Sequence, residues 1–301
     1  MKVFDMLQYV TLKVEIDGPV ATIILNRPEK LNCMSLQLRD EFTEALDALE
    51  PGDAVRVIRL KGAGRAFCSG YDLEGGYDVM STRQTLAPVD PDDRASKFGE
   101  SHVSLDRHNL RQNALWLNSI RRYRKPIVAQ IHGYAIAGGF ELIGVSDNVF
   151  TPDDCHIGMR PSRAPGVGTN LGLLPFKCGP QRTKEFLFTG DVVDGPEAER
   201  LNIVNRSMPA DQLDDYVMAY CRRIAQVPLD LLTAQKEAVN RWGDNAGYHA
   251  SIDAMIDLNS ISHTSPFLGE FVRIAQTDSL KAALEWRDGG FDAAAPAVQS
   301  A

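Results

Sequence analysis

The chain has 301 residues, 44% of them hydrophobic and 24% charged, and its 40 Asp and Glu against 32 Lys and Arg give a net charge of −8. That length makes one large domain or two ordinary ones, and it buries roughly three quarters of the unfolded surface without a disulfide or metal staple. The acidic balance excludes a general nucleic-acid or anionic-membrane surface, which needs a basic field, but leaves room for a local basic pocket around one anionic ligand.

The N-terminus, MKVFDMLQYV, has one Lys and no long apolar run, so it is a poor signal peptide. Val10 to Ile16 alternates apolar and polar residues, Asp17-Gly18 turns, and Val20 to Leu25 is rich in β-branched residues: a hairpin. After the loop Asn26 to Lys30, Ser35 is the N-cap predicted for a helix with Leu38, Phe42, Ala45, Leu46 and Leu49 on one face, ended by Pro51-Gly52. Val55 to Leu60 reads as a short buried strand. Residues 74–102 are polar and aperiodic, a long loop of the kind that is functional or disordered. A helix follows with Leu110, Ala114, Leu117 and Ile120 on one face and Trp116 beside them. Ile127 to Ile131 is a buried strand, Gly133 to Gly144 a turn opening a helix, and Asn148 to Thr151 another strand.

The last third reads as helical, with stripes Leu213/Val217/Tyr220/Ile224 and Leu231/Ala238/Val239/Trp242 and a last helix from Ser279 to Trp286. No stretch approaches eighteen uninterrupted apolar residues, so no membrane span is expected. The order predicts an α/β core over residues 1–200 and a helical region over 201–301. The five cysteines (Cys33, Cys68, Cys155, Cys178 and Cys221) are odd in number with no C-x-x-C pair, which argues for a reduced compartment such as the cytoplasm. His102, His108, His132 and His156 read as structural or surface residues, and no metal site is expected.

Two segments have the composition that chemistry needs. In Ile127 to Asp147 a buried strand runs into a Gly-rich turn, and a helix starts at Gly138-Gly139. Free N–H groups at a helix start attract negative charge, and glycine lets a ligand approach the backbone. Glu141 follows in the first turn, where it either complements the helix dipole or meets whatever Gly138 binds. The second segment, Gly64 to Leu73, is also a turn of small residues after a strand. Two such turns can aim two backbone N–H groups at one oxygen, an oxyanion hole.

The chain resembles the enoyl-CoA hydratase/isomerase (crotonase) superfamily in NRPEKLNCMS at 26–35, GRAFCSGYDL at 64–73 and KPIVAQIHGYAIAGGFEL at 125–142. PGVGTN at 165–170, EFLFTGDVVDGPEAERLNIVNRSMP at 185–209 and the C-terminal FVRIAQTDSLKAALEW extend the likeness in the family's order. The resemblance implies a spiral of ββα units with roughly perpendicular sheets and a C-terminal helical region used in trimerisation. It implies an enzyme, most simply an enoyl-CoA hydratase lyase of fatty acid metabolism, that binds an acyl-CoA and stabilises an enolate. No cofactor is implied beyond the coenzyme A of the thioester substrate. By position, Tyr71 (through its backbone) and Gly138 supply the two oxyanion N–H groups, and Glu141 matches the first of the hydratase's two catalytic glutamates. Asn32, Cys33 and Arg65 match the strip that cradles the CoA adenine and phosphates, with Arg27 and Lys30 as further charges. Ser69, Gly70, Asp72 and Ser162 are further candidates for contacts to the substrate or its CoA, and Trp116 is a candidate for the acyl wall.

One position departs from the pattern. The second glutamate belongs after Pro161, where this chain has Ser162 and then Arg163. Asp153 and Asp154 fall earlier and read as turn residues. Hydration by a single glutamate, isomerisation, retro-aldol lysis, thioester or C–C hydrolysis, and a CoA-binding homologue with little catalysis all stay open. An RNA-binding role is disfavoured, because the helix from Ser35 to Glu50 carries five acids against Arg39 alone. The chain is expected to form a trimer or a dimer of trimers, and residues 74–102 to form a lid over the acyl end of the pocket.

Overall fold

The computed structural model describes residues 9–72, 102–163 and 173–294. The expected lid at 74–102 lies, but for the helix residue 102, outside the described residues, as does the PGVGTN stretch.

Six strands form the main sheet: β1 (Leu12–Asp17), β2 (Val20–Leu25), β3 (Val57–Gly62), β4 (Ile127–Gln130), β6 (Asn148–Pro152) and β9 (Arg206–Met208), in the spatial order β1-β2-β3-β4-β6-β9. β1 and β2 are an antiparallel hairpin pairing Leu12 with Leu25 and Asp17 with Val20, and every later neighbour is parallel. β2, β3 and β4 are almost wholly buried runs, as parallel strands covered on both faces require.

On one face lies α1 (Leu36–Leu49), capped by Ser35 Oγ, which accepts from Leu38 N at 3.2 Å. Its predicted stripe Leu38, Phe42, Ala45, Leu46 and Leu49 is the buried one. Beside it runs α2 (His102–Arg121), burying Leu117 and Ile120 in the same core. The other face is covered by α6 (Ala210–Ile224), whose Leu213, Val217 and Cys221 pack on Val20, Val57, Val128 and Phe150. α6 is also held by a polar cluster in which Arg59, Lys61 and Gln130 converge on Asp214. Desolvation alone would raise the Asp214 carboxyl, but hydrogen bonds from Lys61 and Gln130 and the charge of Arg59 outweigh it and hold it at about 2. β9 and α6 thus continue the core past residue 200.

The remaining helices are α3 (Gly138–Val145), α4 (Leu174–Thr189), α5 (Gly195–Arg200), α7 (Leu229–Asn245), α8 (Tyr248–Ser262), α9 (Pro266–Thr277) and α10 (Leu280–Ala294). Of the two predicted C-terminal stripes, Leu213/Val217 is covered within the chain, whereas Leu231, Val239 and Trp242 on α7 are 51%, 68% and 63% exposed. No helix among the described residues is long and apolar enough to cross a membrane.

A second sheet has the order β5-β7-β8, from β5 (Tyr134–Ile136), β7 (His156–Gly158) and β8 (Val192–Val193). The 133–144 segment was expected to be one turn and a helix. It holds the short strand β5 before α3, because Tyr134 to Ile136 finds a parallel partner in His156 to Gly158.

Candidate active site

The loop after β3 runs alongside β5 and is stitched to it. Cys68 N donates to Tyr134 O at 3.0 Å, Ile136 N donates to Cys68 O at 3.1 Å, and Phe67 N donates to His132 O at 2.8 Å. On its other side the same loop meets residues 31–34, where Met34 N donates to Gly70 O at 2.7 Å and Asp72 N to Met34 O at 3.0 Å. Three segments far apart in sequence therefore lie edge to edge. Glycine makes the approach possible: a Cβ at Gly139 would fall 2.3 Å from Cys68 O.

Tyr71 and Gly138 sit at the ends of this seam. Gly70, at φ +113, has its Cβ position 3.3 Å from Gly138 N, so the two turns are in contact. Gly138 opens α3, so its N–H has no carbonyl to reach within the helix. Neither that amide nor Tyr71 N donates to another carbonyl of the described backbone. Ala137, just before it, is held at φ +54, a conformation costly for a residue with a Cβ and typical of backbone fixed by its surroundings.

α3 is apolar apart from Glu141, which is 3% exposed. A carboxylate buried in an apolar helix is costly unless it is hydrogen-bonded. Tyr71 supplies the bond: its hydroxyl donates to Glu141 Oε2 and accepts from Asn113 Nδ2 at 2.5 Å. Burial, with the charge of Glu141 beside it, pushes the Tyr71 phenol well above its usual value, so it keeps its proton at neutral pH. Sequence reasoning assigned Tyr71 to this site through its backbone and missed its side chain and Asn113. Asn113 has one visible signal, a polar residue on the face of α2 that carries Ala114 and Leu117. Lys177 lies near Glu141. With Phe140, Glu141, Leu173, Leu174 and Ile203 it borders a cavity of about 20 Å³, and burial pushes its ammonium down.

The expected CoA strip divides by exposure. Asn32 is fully buried and holds its loop: Oδ1 accepts from Arg27 N at 2.8 Å, and Nδ2 donates to Ala63 O and Ala66 O at 2.8 and 2.7 Å. Arg27 pairs with Asp72 at 2.8 Å and donates to Cys33 O at 2.7 Å, so these three candidate residues are already engaged with one another. Burial and nearby Asp72 raise the Cys33 thiol to about 11, so it is protonated. Lys30 and Arg65 are exposed, and Ser69 is half-buried next to the seam. Trp116 bridges to α1 through Nε1, which donates to Thr43 Oγ1 at 3.2 Å, under the Arg39 guanidinium at 4.8 Å. Ser162 lies on the turn Arg160–Ser162, its Oγ buried without a hydrogen-bond partner among the described residues and close to Gly190. Asp153 and Asp154 form a turn, as expected.

A mostly parallel sheet followed by a second, smaller one, with a Gly-initiated helix presenting a buried glutamate, defines a crotonase-type acyl-CoA enzyme. The enoyl-CoA hydratase/isomerase family profile matches residues 20–264, and the chain belongs to that family. It is 31% identical over 270 residues to a Mycobacterium tuberculosis protein described as enoyl-CoA hydratase EchA13, covering 86% of this chain and 81% of that one. It is 28% identical to the hydroxycinnamoyl-CoA hydratase-lyase of Pseudomonas fluorescens, over 81% of this chain and 85% of the relative. An enoyl-CoA hydratase structure from Mycobacterium smegmatis superposes with a TM-score of 0.82 at 29% identity, covering 95% of each chain.

Proposed function

We propose that this crotonase-type enzyme hydrates an α,β-unsaturated acyl-CoA through Glu141 alone among the family's two glutamate positions. The observation that carries the reading is the meeting of three groups: the N–H of Tyr71, the N–H of Gly138 and the buried carboxylate of Glu141, one turn into the helix that Gly138 begins. The thioester oxygen accepts from both amides. Negative charge that develops there on attack at Cβ is stabilised by donors already in place. Glu141 takes a proton from the attacking water. Exposed Lys30 and Arg65 supply positive charge to the CoA phosphates, while Asn32, Arg27 and Asp72 shape the loop that carries them. No cofactor is needed beyond the CoA of the substrate, and the five free cysteines suit the cytoplasm.

Turnover of a panel of enoyl-CoAs, from short-chain to aromatic, read by mass spectrometry tests this. A gain of one water supports hydration. Free CoA, an unchanged mass with altered absorbance, or loss of a two-carbon thioester fragment would replace it with hydrolysis, isomerisation or retro-aldol lysis.

The exposed Leu231, Val239 and Trp242 face of α7 supports a homo-oligomer, a trimer or a dimer of trimers. Light scattering at micromolar concentration is expected to give a multiple of three chain masses. A monomeric mass would sink the idea.

A further inference from the structure

We propose that the Tyr71 hydroxyl is the second acid–base group of this site, taking the part that no carboxylate at position 162 can take, with Asn113 as its positioning residue. The inference rests on the reading of Glu141 as the base. The orientation of the Asn113 amide sets the hydrogen-bond directions. Asn113 Nδ2 can only donate, so the phenol oxygen accepts there at 2.5 Å, and its own proton points at Glu141 Oε2. The ring also lies over the first residue of α3: a Cβ on Gly138 would fall 2.9 Å from Tyr71 Cε2 and 3.0 Å from Cζ, the carbon that bears the hydroxyl. One residue thus sets its backbone N–H beside the start of α3 and its hydroxyl on Glu141, from where the proton would reach the carbon next to the thioester. The phenol carries its proton at neutral pH, where burial and the Glu141 charge hold it un-ionised.

The proton balance closes. The water oxygen bonds to Cβ as one of its protons passes to Glu141, and the C=C electrons move onto the thioester oxygen. Tyr71 then gives its proton to Cα as the enolate electrons form the new C–H bond, and it takes the proton that Glu141 holds. One water is consumed, and both side chains end as they began.

Tyr71→Phe keeps the ring and the backbone N–H and removes only the hydroxyl. Expected is a fall in kcat of about 10²–10³-fold with KM within about threefold, as for loss of a general acid. Added to Glu141→Gln, the change is expected to cost less than about threefold more, because the two groups act as a unit. Carboxyl-¹³C glutamate NMR gives a readout free of turnover. The Glu141 signal, assigned by its loss in Glu141→Gln, is expected to move in Tyr71→Phe at a fixed pH, since the hydrogen bond from the phenol is gone. A Tyr71→Phe enzyme within about threefold of wild-type kcat overturns the proposal. If Glu141→Gln is dead and Tyr71→Phe is active, the hydratase reading stands and this inference alone fails. If the wild type hydrates nothing in the panel, that reading fails and the Glu141 signal decides. A shifted Glu141 then supports the acid–base pairing, and an unshifted one ends it.

Discussion

Glu141→Gln is expected to lower turnover by about 10²–10⁴-fold while CoA-thioester binding stays within a few-fold. The amide matches the carboxylate in shape, and its oxygen still accepts from Tyr71, so packing around this 3% exposed side chain survives. What is lost is the ability to take a proton. On the proposed mechanism the proton transfer and the charge on the thioester oxygen develop together, so donors at Tyr71 and Gly138 would not compensate for a missing base. Ser162→Ala is the informative contrast. Its Oγ sits near Gly190 with no hydrogen-bond partner among the described residues, and the change is expected to alter kcat by less than about threefold. Steady-state kinetics of both variants on the best substrate of the panel check this. Near wild-type turnover in Glu141→Gln would place the base elsewhere.

Much of the main sheet was legible because its signals are local. The hairpin follows from alternation, a turn and a β-branched run, and the first helix from Ser35 and a period that the core enforces. The second sheet was not legible. β5, β7 and β8 are two or three residues long, too short to show a period, and they exist only because distant partners complete their hydrogen bonds. α8 was missed for a related reason. Its buried residues, Tyr248, Ile252, Ile256, Asn259 and Ser260, include two polar ones, so its stripe fades against its exposed Leu258 and Ile261.

The candidate site divides the same way. Gly138 and Glu141 share one helix turn, so their proximity follows from spacing. Tyr71 is 70 residues from Glu141 and 42 from Asn113, and nothing in the intervening sequence links the three. The Arg27–Asp72 pair likewise depends on the seam between residues 31–34 and 68–72, which turns two expected CoA contacts into partners of each other.

Gly138→Ala is expected to cost about 10²–10³-fold in turnover, the usual effect of losing one oxyanion donor. The added Cβ would fall 2.3 Å from Met34 Cε and 2.9 Å from Tyr71 Cε2. The methionine end can swing, but Met34 is 3% exposed and has little room. The tyrosine ring is held at its hydroxyl by both Glu141 and Asn113, so it cannot move without breaking those bonds. The remaining path is for the start of α3 to back away, and it starts from Ala137, already at a costly φ of +54. Backing away carries the Gly138 N–H off the position where the thioester oxygen would sit and draws Glu141 with it. Overpacking of this kind costs about 1–3 kcal/mol of stability, which a domain of this size tolerates. Gly144→Ala, in the same helix, is the control: among the described residues outside its own helix no heavy atom lies within 4 Å of its Cβ position, so although Gly144 lines the cavity that Glu141 borders, the change is expected to leave stability and turnover close to wild type. Thermal unfolding and kinetics of the two variants side by side separate a displaced amide from a general intolerance of alanine in α3. A fully folded Gly138→Ala enzyme with wild-type turnover would remove this amide from the oxyanion site and leave Tyr71 N without its partner.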